Sequence, residues 1–218
     1  MRRLFLDIET LPAGPDDYGK LQVLHAKREK KKEKESQIDF EQYLLSTSFD
    51  GAFGRILCIA YAVDDGPVEV LSAEEKGEGE MLREFWSIVA AISKKPYNSQ
   101  YPDYGVCFIG HNVMDFDLRF IYQRSIIHGV KPAYDLPFVR YRSYPIYDTM
   151  KEWVKWANAN VGLEALCLAL GVPTPKDGID GSEVWSFYQK GKVADILKYC
   201  QRDVEATRAV YRKMNFLE

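Results

Sequence analysis

The stretch RLFLDIE (Arg3–Glu9) is short, mostly apolar and has the two-residue period of a β-strand. Strand side chains alternate, so Leu4, Leu6 and Ile8 share one face while Phe5, Asp7 and Glu9 share the other. A strand that is apolar on both sides reads as central and covered, which points to an α/β sheet with helices on its faces. Two acids on one face of such a strand are costly to bury unless they are paired or bind metal. The simpler alternative is that Asp7 and Glu9 mark a strand end in solvent.

The elements around this strand fit the same architecture. RILCIAYAV (Arg55–Val63) is a nearly continuous apolar strand, DDG offers a hairpin turn, and PVEVL alternates through Val68 and Val70. A helix is predicted over Glu78–Ile92, with Met81, Leu82, Phe85, Ile88, Val89 and Ile92 on one face. VCFIG (Val106–Gly110) is a buried strand ended by glycine, followed by a helix over Phe116–His128 and a short strand at PIYD. TMKE (Thr149–Glu152) reads as a capping box, and the remaining helices fall at Leu163–Leu170, Glu183–Gln189 and Val193–Met214. Three early strands followed by alternating helices and strands indicate α/β with a mixed sheet.

The 218 residues, 46% hydrophobic and 28% charged, suit one domain spanning 1–218. The net charge of −3 gives no global basic signature, although a metal-dependent enzyme can hold phosphates through its cations. Four scattered cysteines without a C-x-x-C pair read as reduced, buried thiols of a cytoplasmic protein. The apolar run of MRRLFLDIET stops at Asp7, too short for a signal peptide, and no run approaches transmembrane length. One segment departs from the plan. Lys27–Glu35, KREKKKEKE, has a net charge of +3 and leaves −6 for the remainder. It lies in an insertion spanning about residues 16–50, and two readings stay open: a solvated, salt-bridged helix, or a basic arm that meets phosphates.

Two further acids stand where core residues belong. Asp117 shares a helix face with Phe120 and Ile121, and the adjacent Asp115 is the better N-cap, so capping does not account for Asp117. In KYCQRDVEATRAVY (Lys198–Tyr211), the inner seam runs through Ile196, Cys200, Thr207, Val210 and Met214, and Asp203 occupies a seam position with Tyr199 one turn earlier. Four inward carboxylates from a strand and two helices suggest one cluster, whose repulsion requires cations. All-oxygen ligation suits Mg²⁺ or Mn²⁺ and argues against zinc. Two such ions about 3.5–4 Å apart serve phosphodiester cleavage.

On these residues the chain resembles the DEDD 3′–5′ exonuclease superfamily. FLDIET resembles its first motif, with Asp7 and Glu9. HNVMDFD resembles the second, in the N-x-x-x-F-D form of proofreading domains of family-B DNA polymerases, and points to Asp117. YCQRD resembles the third in its Y-x-x-x-D form, Tyr199 and Asp203; the histidine variant would place His where this chain has Lys198. The chain is most similar to stand-alone predicted exonucleases related to the family-B exonuclease domain, also in GRILCIAYAV and GSEV. This resemblance implies an RNase H-like fold, a five-stranded mixed sheet flanked by helices, with no polymerase domain attached.

It implies, further, that Asp7, Glu9 and Asp203 hold one of two divalent cations, that Asp7 bridges to the second and Asp117 binds it, and that Tyr199 orients the attacking water. Thr10 and Leu11 follow Glu9 where the family contacts the terminal nucleotide; Asn112 and Phe116 are further substrate candidates, with a loop amide and a core aromatic as equal alternatives. His111 reads as structural, Asp148 as a helix start, and Asp180 with Glu183 as a cap signal. The expected partner is nucleic acid, as single-stranded DNA 3′ ends, without a membrane, in a setting such as DNA repair. An RNase D-like exoribonuclease is the alternative substrate reading, and a non-catalytic nucleic-acid-binding module the alternative class; the repelling acids argue against the module.

Overall fold

In the computed structural model, which describes residues 1–31, 37–93, 105–175 and 181–217, the first strand is β1 (Arg2–Leu11), the middle of a five-stranded sheet. β2 (Arg55–Val63) pairs antiparallel with β1, and β3 (Glu69–Ser72) antiparallel with β2. On the other side, β4 (Val106–Gly110) runs parallel to β1, and β5 (Ile146–Asp148) parallel to β4, giving the order β3-β2-β1-β4-β5. Between β1 and β2 lie α1 (Tyr18–Glu29) and α2 (Phe40–Ser46); α3 (Ala73–Lys76) and α4 (Glu78–Ile92) follow β3, and α5 (Asp117–Ile127) follows β4. After β5 come α6 (Thr149–Trp153), α7 (Leu163–Leu170), α8 (Val184–Gln189) and α9 (Val193–Met214). The mixed sheet with helices on both faces is the expected RNase H-like arrangement.

The two faces of β1 explain the layering. Leu4, Leu6 and Ile8 pack with Leu82 and Phe85 of α4 and Phe120 and Ile121 of α5. On the opposite face, Phe5 packs with Cys58, Ala60, Ala62, Cys200 and Val204. The small side chains of β2 let α9 lie close to the sheet. Two register features shape the end of β1. Its pairing with β2 shifts between Glu9 and Thr10, and β4 pairs only with Arg2–Phe5, so the second half of β1 extends beyond β4. Gly110 ends β4 there: a Cβ on it would lie 2.5 Å from Val113 and 3.0 Å from the Leu6 carbonyl.

Two predicted caps are corrected. α5 has no side-chain cap; Asp115 instead pairs with Lys151 at 2.9 Å and Arg119 at 3.4 Å. A preceding tight turn already occupies the amides of Phe116 and Leu118, which donate to the carbonyls of Asn112 and Val113. At α6 the cap is Asp148 rather than Thr149: the Asp148 Oδ1 accepts from the Met150 and Lys151 amides, and the Thr149 hydroxyl donates to the Gly110 carbonyl. The insertion forms a helical pair, with His25 of α1 against Phe40 and Tyr43 of α2. Lys27, Arg28, Lys30 and Lys31 are exposed, in keeping with a solvated surface, while Lys32–Glu35 and Asp180 lie outside the described residues.

One buried ion pair ties the α4 and α5 side of the fold together. Glu78 accepts from Arg124 Nε and Nη2 at 2.9 and 2.8 Å, from the Ile56 amide at 2.8 Å, and contacts His128 Nε2 at 2.8 Å. Burial alone would raise the Glu78 carboxyl; the hydrogen bonds and charge of Arg124, with the Ile56 amide and His128, hold it below its ordinary value. Glu78→Ala would leave a buried guanidinium without its counter-ion, and urea unfolding should show a loss of about 3–5 kcal/mol. A depressed carboxyl stabilises above its unfolded value near 4.5, and the contribution fades as pH falls through the lower folded value. Glu78→Gln should flatten that acid limb of the stability profile.

Candidate active site

Asp7 and Glu9 project from β1 towards α9, on the Phe5 face. α9 presents Tyr199, Cys200 and Asp203 there, because its buried seam also contains Ile196, Val204, Thr207 and Val210. Carboxylate oxygens of Asp7 and Glu9 and the Cys200 sulfur all lie within 4.8 Å of one another. Asp117 comes from the first turn of α5 and accepts a 3.0 Å hydrogen bond from the Ile8 amide. That bond lies in the half of β1 beyond β4, so the carboxylate of Asp117 serves an amide that no β4 residue pairs with. Of the four predicted acids, Asp7 and Glu9 meet within 4.8 Å, Asp117 reaches the same strand through the Ile8 amide, and Asp203 lies on the buried seam of α9.

The acids also act on one another through their charge. Burial is the largest influence raising the Asp7 carboxyl well above its ordinary value, followed by the charges of Asp203, Asp117 and Glu9. Glu9 is raised by burial, then by Cys58, Asp203 and Asp117. Asp117 is pushed up to about 7 by burial, against the lowering effect of backbone hydrogen bonds, with Asp148 and Asp203 adding to the rise. The Tyr199 phenol is raised by burial and by Asp203, Glu9 and Asp7, and it hydrogen-bonds Asp203, so it stays protonated at neutral pH.

Such a donor set fits a divalent cation: buried oxygens, repelling one another, which a cation would satisfy. Cys200 is the neighbour that sequence reasoning assigned to packing alone. Its thiol donates to Asp7 Oδ2 at 3.3 Å, and burial, Cys58 and the nearby acids hold its proton on. In the metal-free protein it is therefore a neutral donor to Asp7 rather than a thiolate. The available signal was its place three residues before Asp203 on the same seam.

Around these acids the loops are fixed by Asp148, which is 1% exposed and accepts from the Asn112 and Met114 amides at 3.1 Å each. Its helix-start role is present, and the grip on the loop before Asp117 is a second role. His111 is structural: its ring contacts the Thr149 hydroxyl at 3.0 Å and the Val161 carbonyl at 2.8 Å, and burial lowers its pKa, which keeps it neutral. Thr10 donates to the Ser48 carbonyl at 2.7 Å, and the Leu11 side chain is buried with Leu57, Val184 and Ile196. Phe116 packs against Phe120 and Phe49. Asn112, at φ +60°, lines a cleft of about 500 Å³ with His111, Asp115, Met150 and Lys151.

A raised carboxyl costs nothing below its unfolded value near 3.8, and the cost grows as pH rises, becoming complete for Asp117 above about 7. The metal-free protein should therefore melt at a lower temperature at pH 8 than at pH 5.5. Mn²⁺ at a hundred times its Kd should return about 2.7 kcal/mol, read as a rise of several degrees in Tm. Asp7→Asn should raise the metal-free Tm and abolish the Mn²⁺ response; an unchanged response would refute a cation site here.

Comparison with known proteins is consistent with this geometry. The model of a family described as "Predicted 3′-5′ exonuclease related to the exonuclease domain of PolB" matches residues 50–218, a span that includes Asp117, Tyr199 and Asp203 but not Asp7 and Glu9. Among solved structures, a family B DNA polymerase from the hyperthermophilic archaeon Pyrobaculum calidifontis is similar, at a TM-score of 0.63 and 18% identity. The match covers 99% of this chain and 24% of the polymerase, so the chain spans about a quarter of that protein's length. At that identity the likeness is one of fold. No curated protein matches the sequence. Among the described residues, no helix is long and apolar enough to cross a membrane.

Proposed function

The chain belongs to the family of predicted 3′–5′ exonucleases related to the exonuclease domain of PolB, and from that premise we propose that it hydrolyses the 3′-terminal phosphodiester of single-stranded DNA, releasing nucleoside 5′-monophosphates. The observation that carries this reading is the meeting of Asp7 and Glu9 oxygens within 4.8 Å on β1, with Asp117 on the Ile8 amide and the charge of Asp203 acting on all three. A packed core has no use for repelling acids, and neither does a surface that only binds nucleic acid, whose phosphates they would repel. Residues 1–218 act as one catalytic domain in this reading.

Asp7, Glu9, Asp117 and Asp203 would hold two divalent cations, Mg²⁺ or Mn²⁺. Bound there, the cations supply Lewis-acid stabilisation of the phosphate oxygens and make a bound water more acidic. The protein's own groups orient the reaction. Asp203 fixes the Tyr199 phenol, and because that phenol keeps its proton, it positions the attacking water instead of deprotonating it. Asp117 is held in place by the Ile8 amide, and Asp148 fixes the loop that leads to it. Asn112, which lines the cleft, and Phe116, the neighbour of Asp117, are the side chains this reading assigns to the terminal nucleotide; the Thr10 hydroxyl and the Leu11 side chain are engaged within the fold.

The test is digestion of end-labelled DNA and RNA, single- and double-stranded, with either end blocked, in Mg²⁺ or Mn²⁺. Loss should begin at the 3′ end of single-stranded DNA and stop in chelator. Asp7→Ala and Asp203→Ala should each abolish it with the circular dichroism spectrum unchanged, and Tyr199→Phe should lower kcat about 10²-fold with little change in KM. Faster removal from RNA would replace the substrate assignment. Full activity of Asp203→Ala would remove the site itself.

A further inference from the structure

Between α5 and β5 the chain carries Arg140–Tyr141–Arg142, a run the carboxylate site does not use. All three residues are exposed, Tyr141 to 74%. Many surface cations of this chain have acidic partners, as in Arg2–Asp64, Arg83–Glu80 and Lys155–Glu152, whereas Arg140 and Arg142 have no ion-pair partner among the described residues. In a chain of net charge −3, that local positive field does not follow from composition.

The tyrosine between them is held out deliberately. Its φ is +65°, a left-handed conformation that a bulky residue adopts only where its surroundings enforce it. The ring rests 5.3 Å from that of Trp156, which packs in turn against the main core. This arrangement presents an aromatic surface to solvent, flanked on both sides by unneutralised guanidinium groups.

A line of contacts leads from the run to the cleft beside Asn112. Phe138, two residues before Arg140, lies under the Arg119 guanidinium at 5.6 Å; Arg119 and Lys151 both pair with Asp115, two cations to one anion, and Asp115 and Lys151 line the cleft. Arg142 stands six positions before Asp148, which limits the span to at most about 22 Å. Guanidinium groups hold phosphates, and an exposed phenol stacks on bases whatever their sequence. An acidic protein surface would satisfy the arginines but would have no use for an aromatic ring held in a strained conformation.

Resting on the exonuclease reading, we infer that Arg140, Tyr141 and Arg142 form a second nucleic-acid contact, which grips the substrate strand upstream of the 3′ end being cut. The experiment compares wild type with an Arg140→Ala/Arg142→Ala double variant, Tyr141→Ala and Tyr141→Trp. Single-stranded DNA of about 4 and about 20 nucleotides covers substrates too short and long enough to reach the run. Binding of the long strand is read by fluorescence anisotropy in chelator, and hydrolysis of both lengths with Mn²⁺.

For the double-arginine variant, the long strand should bind about ten-fold more weakly, and the salt slope of log K should become shallower by about 1.4, two contacts at about 0.7 each. KM should rise for the long strand alone, with kcat unchanged. Tyr141→Ala should weaken the long strand and Tyr141→Trp should restore it, which a merely structural tyrosine would not do. Unchanged long-strand binding in the double-arginine variant, or an equal loss on both lengths, overturns the inference. A wild-type protein that binds long strands through these residues yet cuts nothing overturns the exonuclease reading and leaves the contact standing.

Discussion

Repulsion among carboxylates at the end of β1 is the constraint that the surrounding structure has to contain. Burial makes Asp7, Glu9 and Asp117 hard to ionise, and the charge of Asp203 adds to the effect on all three. A surface loop would relieve it by moving apart. Here the acids sit on a central strand and on the packed faces of two helices, so separation would require breaking the core. Val204, Cys200 and Val210 hold α9 in place, Leu118, Phe120 and Ile121 hold α5, and Leu4, Leu6 and Ile8 hold β1. Apolar packing keeps the repelling groups together, and a cation is the natural complement.

The geometry that admits four acids depends on one strand outrunning another. β4 pairs with β1 only through Phe5, and the amide of Ile8 finds Asp117 instead of a strand neighbour. The catalytic candidate is thus also a structural acceptor, which anchors the start of α5 to the sheet. Gly110 permits the close turn that makes this possible, and Asp148 braces the loop from the other side. The precision of the site rests on these neutral-looking backbone contacts as much as on the acids themselves.

Legibility in the sequence followed the strength of local signals. The bounds of Arg55–Val63, Glu78–Ile92, Val106–Gly110, Leu163–Leu170 and Val193–Met214 agree with the structure, because apolar runs and helical seams are dictated by burial over many residues. Caps were less legible. Asp115 and Thr149 satisfy the local pattern for a cap, but a lysine from another element and a glycine carbonyl from β4 compete for them. α2 carries a reciprocal capping box between Asp39 and Gln42, a signal that is present in the sequence but follows a charged run without an apolar seam.

What the sequence determined by itself was the alternation that makes β1 central, the seam that faces α9 inward, and the anomaly of acids at buried positions. Those are local properties, set by side-chain period and by the cost of desolvating a charge. Only the tertiary structure decided which of the misplaced groups meet. It brought Asp7, Glu9 and Cys200 within 4.8 Å, gave Asp117 to Ile8, and set Tyr141 on Trp156. Such contacts depend on strand register and on where one helix crosses a sheet. These are settled by packing the whole core at once, and no short stretch of the chain contains them.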